Sequence, residues 1–434
     1  MSSIKKFVKS IFKGSDKPAS AGPKNKNKTG ETSKIKKEYL DEVVENTGWT
    51  KEHAAAAMRS AKKNIGATYY NYVRFKLYEM TEEEAGEFLR KRELEKEDRA
   101  ARQKAQSIAN REHYLDLLAE KTGWDRPTAR ANYREARART GCTAEEYFLY
   151  RFDELTPEEQ EQVFLIRDSK KITKKYNVDR KFVNILYHKE ICNEFFQDYI
   201  KRAWCVNTRV TEEDFIKRFQ NSHRVFYKPT IGHHGDDARS YDVTPENISE
   251  LYHTLAEKEQ GVVEEYIVQH HKMQELAPAA VNTLRLATIS SNDLLPELDG
   301  EHIKILYASQ KMGGVDSVVD NLVGGGLVAS VDLETGKIST DAVDDKGNTF
   351  ATHPGTGTTI KGFQIPYFNE CLELVRKIYE EKKIEGYLGW DIAITEDGPE
   401  LVEVNAGPGV ILFQLPEITE KHFMKQYMQP YMGE

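Results

Sequence analysis

Four cysteines serve 434 residues, and Cys142, Cys192, Cys205 and Cys371 lie too far apart for any CxxC pair. A disulfide or zinc framework is therefore not expected, and such usage suits a reducing cytosol. Long apolar runs are also missing: a stretch such as Gly324–Ala329 is far short of the ~20 residues a membrane span needs. No lysine-led start is followed by a solid apolar block and a small-residue cleavage site, so no secretory signal is expected. There is no GxxxxGK[ST], which excludes an ordinary P-loop. GTGTTI at 355–360 lacks the third glycine of a dinucleotide turn and follows no clear strand. A soluble, cytoplasmic chain of two or three domains is the reading, at one to two hundred residues per domain.

Charge is unevenly spread. The net charge of −8 conceals eleven lysines against two acidic residues in 1–37, so the remaining body is strongly acidic. Such a body is a poor nucleic-acid binder, and no nucleic-acid partner is expected. Residues 14–37, rich in Gly, Pro, Ser and Lys, read as a disordered linker. Ahead of them, Ile4, Phe7, Val8, Ile11 and Phe12 fall on one helical stripe, with Lys5, Lys6, Lys9 and Lys13 around it. Residues 4–13 therefore suit an anionic membrane surface, with a peripheral position on the inner face of the membrane as the corresponding location. Docking on the protein itself, or periodicity by accident, are the alternatives.

An internal repeat occupies 38–158. Tyr39–Trp49 (YLDEVVENTGW) recurs as Tyr114–Trp124 (YLDLLAEKTGW), an offset of 75 that also carries Gly66 onto Gly141, Tyr72 onto Tyr147 and Glu79-Met80-Thr81 onto Glu154-Leu155-Thr156. Each copy reads as helix, turn, helix, and the stretch between them as a solvated helix of alternating charge. What repeats is Trp, Tyr, Leu and Gly rather than titratable groups, so the copies around Tyr39–Thr81 and Tyr114–Thr156 are read as packing modules that bind a protein partner or acceptor.

From 159 to 434 strands and helices intermix. RVFYKP, GVVEEYIVQ, NTLRLATI, HIKILYAS, LVASVDL, WDIAIT and ELVEVN are strand-like. Several are joined as hairpins, so an α+β domain with antiparallel sheet is expected. Within Gly386–Gly409, Trp390, Ile392, Ile394, Val402 and Val404 form one alternating face, and Asp391, Glu403 and Asn405 the other. A hairpin centred on Asp397 sets Asp391 opposite Glu403. Like charges so placed repel, and a bound divalent cation reverses the penalty; two carboxylates and an amide oxygen suit Mg²⁺. A solvent-facing acidic strand is the alternative.

Asp391 followed by Glu403-x-Asn405 resembles the metal-binding hairpin of the ATP-grasp superfamily. Further segments match in order. Lys189 in LYHKEICNEFF corresponds to the first nucleotide-contacting lysine, and Lys228 in VFYKPTIGHHGDD to the second, ahead of the phosphate-covering loop. GVVEEYI corresponds to the hinge that receives adenine, with Glu264, Glu265, Tyr266 and Ile267, and Arg285 in VNTLR to the arginine that reaches the transferring phosphate. VNTLR, Asp320-Asn321 with Gly324–Gly326, HPGTG (His353–Gly357) and GWDIAITEDGP resemble the sugar-transfer-associated branch more closely, over roughly residues 170–420.

The resemblance implies two α+β lobes around MgATP, preceded here by an all-α tandem-repeat region. It implies ATP and Mg²⁺ as cofactors, with Asp391, Glu403 and Asn405 on the metal and Arg285 and Lys228 at the reacting phosphate. It also implies carboxylate–amine ligation through an acylphosphate, on small-molecule or glycan-linked substrates of bacterial polysaccharide metabolism. A phosphotransferase, or a nucleotide-binding scaffold acting through its repeats, are the alternatives. Two features depart from the pattern. The loop Thr230–Arg239 has only Gly232 and Gly235, leaving His233, His234 or Arg239 as substitute phosphate contacts, and the usual N-terminal α/β subdomain is not evident. His233-His234 and His270-His271 read as exposed or hydrogen-bonded pairs, since neighbours in a strand point to opposite faces. His353 reads as a substrate contact or a turn residue.

Overall fold

The computed structural model describes residues 104–230, 238–315, 319–415 and 424–433, with 44, 50, 51 and 54–59. The amphipathic stretch 4–13, the linker, most of the first repeat copy and His233-His234 lie outside the described residues. Two compact units divide between Ala109 and Asn110, and the second repeat copy belongs to the unit Asn110–Glu434. Among the described residues no helix is long and apolar enough to cross a membrane.

The second copy folds as helix, turn, helix. Residues 110–122 are helical, and the chain reverses through Gly123 (φ 72°). Asp125 then caps α1 (Arg126–Thr140) by accepting from Thr128 N, and Gly141 ends it in the left-handed region (φ 78°). Both glycines stand where a side chain would be strained, which explains why glycine recurs at these points of the repeat. Thr143 and Glu146 form a reciprocal capping box at the start of α2 (Ala144–Leu149). Tyr114, Leu115, Leu118, Tyr133 and Tyr147 pack into a core that extends to Leu322, Val328, Val343 and Leu415. Helices continue to α3 (Lys189–Phe195).

The first lobe holds a four-stranded sheet of β1 (Trp204–Val206), β2 (Arg224–Pro229), β3 (Arg239–Asp242) and β4 (Gly261–Glu265), in the order β1-β4-β2-β3. Its cover helices are α4 (Glu212–Phe219) and α5 (Ile248–Ala256). Thr211 caps α4, with three acidic residues in the first turn and Lys217 and Arg218 in the last, matching the helix dipole. Phe215 and Phe219, one turn apart, meet Leu251, Leu255, Val225 and Val263.

The second lobe is a seven-stranded sheet, β11-β10-β5-β6-β7-β8-β9. Its strands are β5 (Thr283–Ser290), β6 (Ile303–Met312), β7 (Leu327–Val331), β8 (Ala342–Val343), β9 (Thr349–Phe350), β10 (Gly386–Thr395) and β11 (Gly398–Asn405). Every pairing in both sheets is antiparallel, in line with the sequence reading. α6 (Phe368–Lys382) covers one face through Phe368, Cys371, Val375 and Ile378. β10 is buried on both sides, between β5 and β11. Trp390 is fully buried at its centre, and its indole N–H donates to Thr288 Oγ1 at 2.9 Å.

The β10–β11 hairpin differs from the sequence reading in one place. Thr395 faces Gly398 and Ile392 faces Leu401, yet Asp391 faces Glu403, so a bulge sits between Asp391 and Ile392. The bulge inserts Val402 as an extra residue and turns the strand over by one position. Leu401, not Val402, therefore joins Trp390, Ile392, Ile394 and Val404 in the core, while Val402 lines the cleft.

Candidate active site

A cavity of about 500 Å³ gathers Lys189, Lys228, Glu264, Glu265, Tyr266, Ile267, Arg285, Asp391, Glu403 and Asn405. All ten residues singled out from the sequence thus meet in one place, although they come from five separate stretches of the chain. Lys189 opens α3, Lys228 stands on β2 and Glu264 on β4. Arg285 belongs to β5, Asp391 to β10, and Glu403 and Asn405 to β11.

Sheet register makes the centre. Asp391 pairs with Arg285 on one side and with Glu403 on the other. The Arg285 guanidinium forks onto both Asp391 oxygens, Nε at 2.5 Å and Nη2 at 2.7 Å, the bidentate geometry in which arginine is strongest. Lys311 Nζ lies 3.5 Å from Asp391 and 3.1 Å from Asp320. Asp320 in turn accepts from Thr283 N at 3.0 Å. Burial favours the neutral acid at Asp391, but Arg285 and Lys311 hold its carboxyl down at about 2. The same neighbours reverse the effect of burial on Lys311, whose pKa is raised by Asp320 and Asp391.

The lobe opposite is organised by Glu264. Lys228 Nζ sits 2.7 Å from one of its oxygens, and Arg202 Nη2 (2.9 Å) and Asn193 Nδ2 (2.8 Å) donate to the other. Arg202 also reaches Glu400 Oε1 at 2.9 Å. Burial would neutralise Glu264, yet Arg202 and Lys228 hold its carboxyl well below the ordinary range. Its carboxylate therefore positions Lys228. Glu265 accepts from Ser222 Oγ at 2.9 Å. Tyr266 lies edge-on to Phe226, with the Arg224 guanidinium 5.6 Å over its ring. Burial lowers the pKa of the Lys189 ammonium; Glu403 opposes that shift and Lys228 adds to it.

The donor set fits Mg²⁺. Asp391, Glu403 and Asn405 offer only oxygen ligands from one side of one hairpin and open on the same cavity. Lys311 and Arg202 are cavity residues that sequence reasoning missed. A charged residue at a buried position of the apolar β6 (Lys311 is 5% exposed) was the available signal. Arg202 lies outside any strand or helix and left none.

The histidine pair is hydrogen-bonded, in line with the sequence reading, but on a different backbone. His270 and His271 start a short helix instead of continuing a strand, so their rings stack 4.2 Å apart and both turn toward Glu396. Among the described residues, His270, His271 and Glu396 form a group of three His, Cys, Asp or Glu side chains close enough to hold a metal ion. His270 Nδ1 accepts from Lys272 N, however, which leaves the proton of the neutral ring on Nε2 and no lone pair there for a metal. His353 is buried, with Nε2 2.7 Å from Gly313 O and Nδ1 accepting from Gly355 N. It is a turn residue.

The sugar-transfer associated ATP-grasp family matches residues 206–422, half of the chain, from β1 to beyond β11. The chain belongs to that family. Its fold is the α+β ATP-grasp fold, and the cofactors of that fold are ATP and Mg²⁺. Solved structures similar to the chain include N5-carboxyaminoimidazole synthetase from Staphylococcus aureus complexed with ADP (11% identity, 52% of this chain and 46% of that one, TM-score 0.32). D-alanyl-alanine synthetase A from Vibrio cholerae is another (12% identity, 57% and 64%, TM-score 0.34). A third is the ATP-grasp ligase PsnB complexed with a precursor peptide and AMPPNP (13% identity, 59% and 60%, TM-score 0.33). The chain thus spans about half to two thirds of the length of these proteins. No curated protein matches it.

Proposed function

We propose that this member of the ATP-grasp family is a carboxylate–amine ligase that forms an amide, with ADP and phosphate as co-products, on a glycan-linked or sugar-nucleotide-linked substrate. The observation that carries the reading is the convergence of two lysines, one arginine and an oxygen-only donor set on one cavity between two lobes. Glu264, Glu265, Tyr266 and Ile267 form the hinge edge where adenine would lie. Lys189 and Lys228 neutralise phosphate oxygens as point charges. Asp391, Glu403 and Asn405 would hold Mg²⁺, which would offset the negative charge of the phosphates during transfer.

The substrate carboxylate oxygen attacks the γ-phosphorus, the bond to the β-phosphate oxygen breaks, and ADP leaves. An amine nitrogen then adds to the acyl carbon, and the C–O bond to phosphate breaks. The nitrogen's proton leaves with phosphate. Arg285 would donate to the γ-phosphoryl oxygens and to the tetrahedral oxyanion, where preorganised charge contributes most. Lys228, held by Glu264, faces the same phosphoryl group. The sugar-transfer association of the family supports a role in polysaccharide metabolism.

The test is a screen of amine and carboxylate pairs for ADP release, with the organic product identified by mass. ADP with an amide supports ligation. ADP with a phosphorylated product and no amide would make the chain a phosphotransferase, and no turnover with any pair would leave a nucleotide-binding scaffold.

A further inference from the structure

The second repeat copy carries more than a packing module requires. A cleft of about 350 Å³ opens between the helix over 110–122 and α1, lined by Arg111, Leu115, Arg130, Tyr133, Arg134 and Arg137. Leu115 and Tyr133 are its buried apolar floor. Arg130, Arg134 and Arg137 follow one another at helical spacing along one face of α1, and Arg111 comes from the facing helix. Their local counter-charge is small. Glu112 accepts from Arg111 at 2.9 Å, from Arg130 at 2.5 Å and from Arg126 at 3.4 Å, and Arg126 pairs more closely with Asp116 at 2.9 Å. The Arg111 hydrogen bond, together with Arg130, holds the pKa of Glu112 below the ordinary value against the opposing effect of burial. Arg137 Nη1 donates to Tyr133 Oη at 2.7 Å, which anchors it beside the floor. Glu135 pairs with Arg139 instead.

The repeat itself shows that packing does not require three of these arginines. At the offset of 75, Leu115 corresponds to Leu40 and Tyr133 to Met58, both apolar, whereas Arg111, Arg130 and Arg137 correspond to Lys36, Ala55 and Lys62. The floor is kept and Arg134 has Arg59 as its counterpart, whereas the other three guanidiniums are particular to the second copy. Guanidinium forks match the oxygens of phosphate better than a point charge does. The cleft is too small for a helix 10–12 Å across, so its size selects a compact, multiply charged anion. Set in an acidic chain, such a basic cleft concentrates anions locally.

We propose that this cleft is a binding site for a phosphate or pyrophosphate group, either free or carried on a sugar. The site is independent of the nucleotide cavity and of the ligase reading. The experiment is calorimetric titration of the full-length chain with inorganic pyrophosphate and, separately, with glucose 1-phosphate. Both are run with saturating AMPPNP and Mg²⁺ so that the nucleotide cavity is occupied. One site per chain is expected, weakened at least tenfold in Arg130→Gln/Arg134→Gln and weakened as salt is raised. Tighter binding of glucose 1-phosphate than of pyrophosphate assigns the sugar-borne source, and the reverse assigns the free anion. Arg137→Lys keeps the charge and loses the fork; a fivefold or larger loss in this variant supports the site even if the double variant fails to fold. Equal affinity in native and variant chains, or no binding of either probe, overturns it.

Discussion

Asp391 stands between two unlike neighbours: Arg285 grips both of its oxygens from β5, and Glu403 faces it across the β10–β11 hairpin. One carboxylate is thus held ionised by protein cations on one side and set against a second carboxylate on the other. On the proposed metal assignment, a Mg²⁺ ion between Asp391 and Glu403 would remove the repulsion that the pairing creates. Glu403 is exposed and Asp391 is buried, so the two are separable by mutation.

Glu403→Gln should abolish Mg²⁺-dependent stabilisation by ATP while leaving the fold intact. Lysines and arginines line the cavity in the same number as acidic side chains, so its wall has no net charge to welcome ATP without a cation. Binding at 100 times Kd adds about 2.7 kcal/mol to the native state. The check is the thermal midpoint with ATP, with and without Mg²⁺, in native and variant chains. A variant midpoint that still rises with Mg²⁺ and ATP would refute the metal assignment.

Asp391→Asn should be costly for a different reason. It leaves Arg285 and Lys311, both buried, without their shared carboxylate, and breaking a buried pair costs about 3–5 kcal/mol. The pH dependence follows from the depressed pKa. A carboxyl held at about 2 in the native state and titrating at about 3.9 when unfolded contributes stability that is full above the unfolded value. That contribution is lost as pH falls toward the native one. Across this span the linkage is worth about 2–3 kcal/mol. Urea midpoints should show the native chain's advantage over Asp391→Asn narrowing between pH 5 and pH 3. A constant advantage would place the cause elsewhere.

The acidic hairpin could be read from the chain because its members are local. Asp391 and Glu403 are twelve residues apart across one tight turn, and turn position with strand parity is enough to pair them. The bulge that places Val402 in the cleft was not legible, since alternation assumes an unbroken ladder. The Arg285–Asp391 fork joins residues far apart in sequence, and only the order β11-β10-β5 brings them together. The roles of Glu264 and Lys311 depend likewise on Arg202 and Asp320, partners from other elements. His270 and His271 are hydrogen-bonded as the sequence reading had it, although they open a helix where a strand was expected.

The bulge itself is testable through two adjacent residues. Leu401 is 1% exposed within the main core, so Leu401→Ala should cost about 2–5 kcal/mol. Val402 is only partly buried and borders the nucleotide cavity, so Val402→Ala should cost under about 1.5 kcal/mol and show itself in nucleotide affinity instead. Chemical denaturation of both variants, paired with AMPPNP titration, distinguishes them. The opposite ranking in stability would mean an unbulged hairpin with Val402 inside.

Glu264→Gln probes the other lobe. The carboxylate currently holds Lys228 at 2.7 Å and Arg202 at 2.9 Å, and the amide can accept from one of them while presenting an N–H to the other. Arg202 retains Glu400, so the arginine keeps a counter-ion and the sheet keeps its anchor. Lys228 loses the group that fixes its position and is left free to swing. A point charge that wanders by an ångström or two loses much of its hold on a phosphate oxygen, and misplacement of that order can cost a hundredfold in rate. Glu264→Gln should therefore lower turnover of ATP by one to two orders of magnitude, with a smaller loss in AMPPNP affinity. A charge-for-charge replacement, Lys228→Arg, should not restore it, because the fault lies in the missing anchor. Steady-state kinetics with a substrate pair from the ligase screen read both effects. Unchanged turnover in Glu264→Gln would show that Lys228 needs no anchor and that Glu264 serves Arg202 alone.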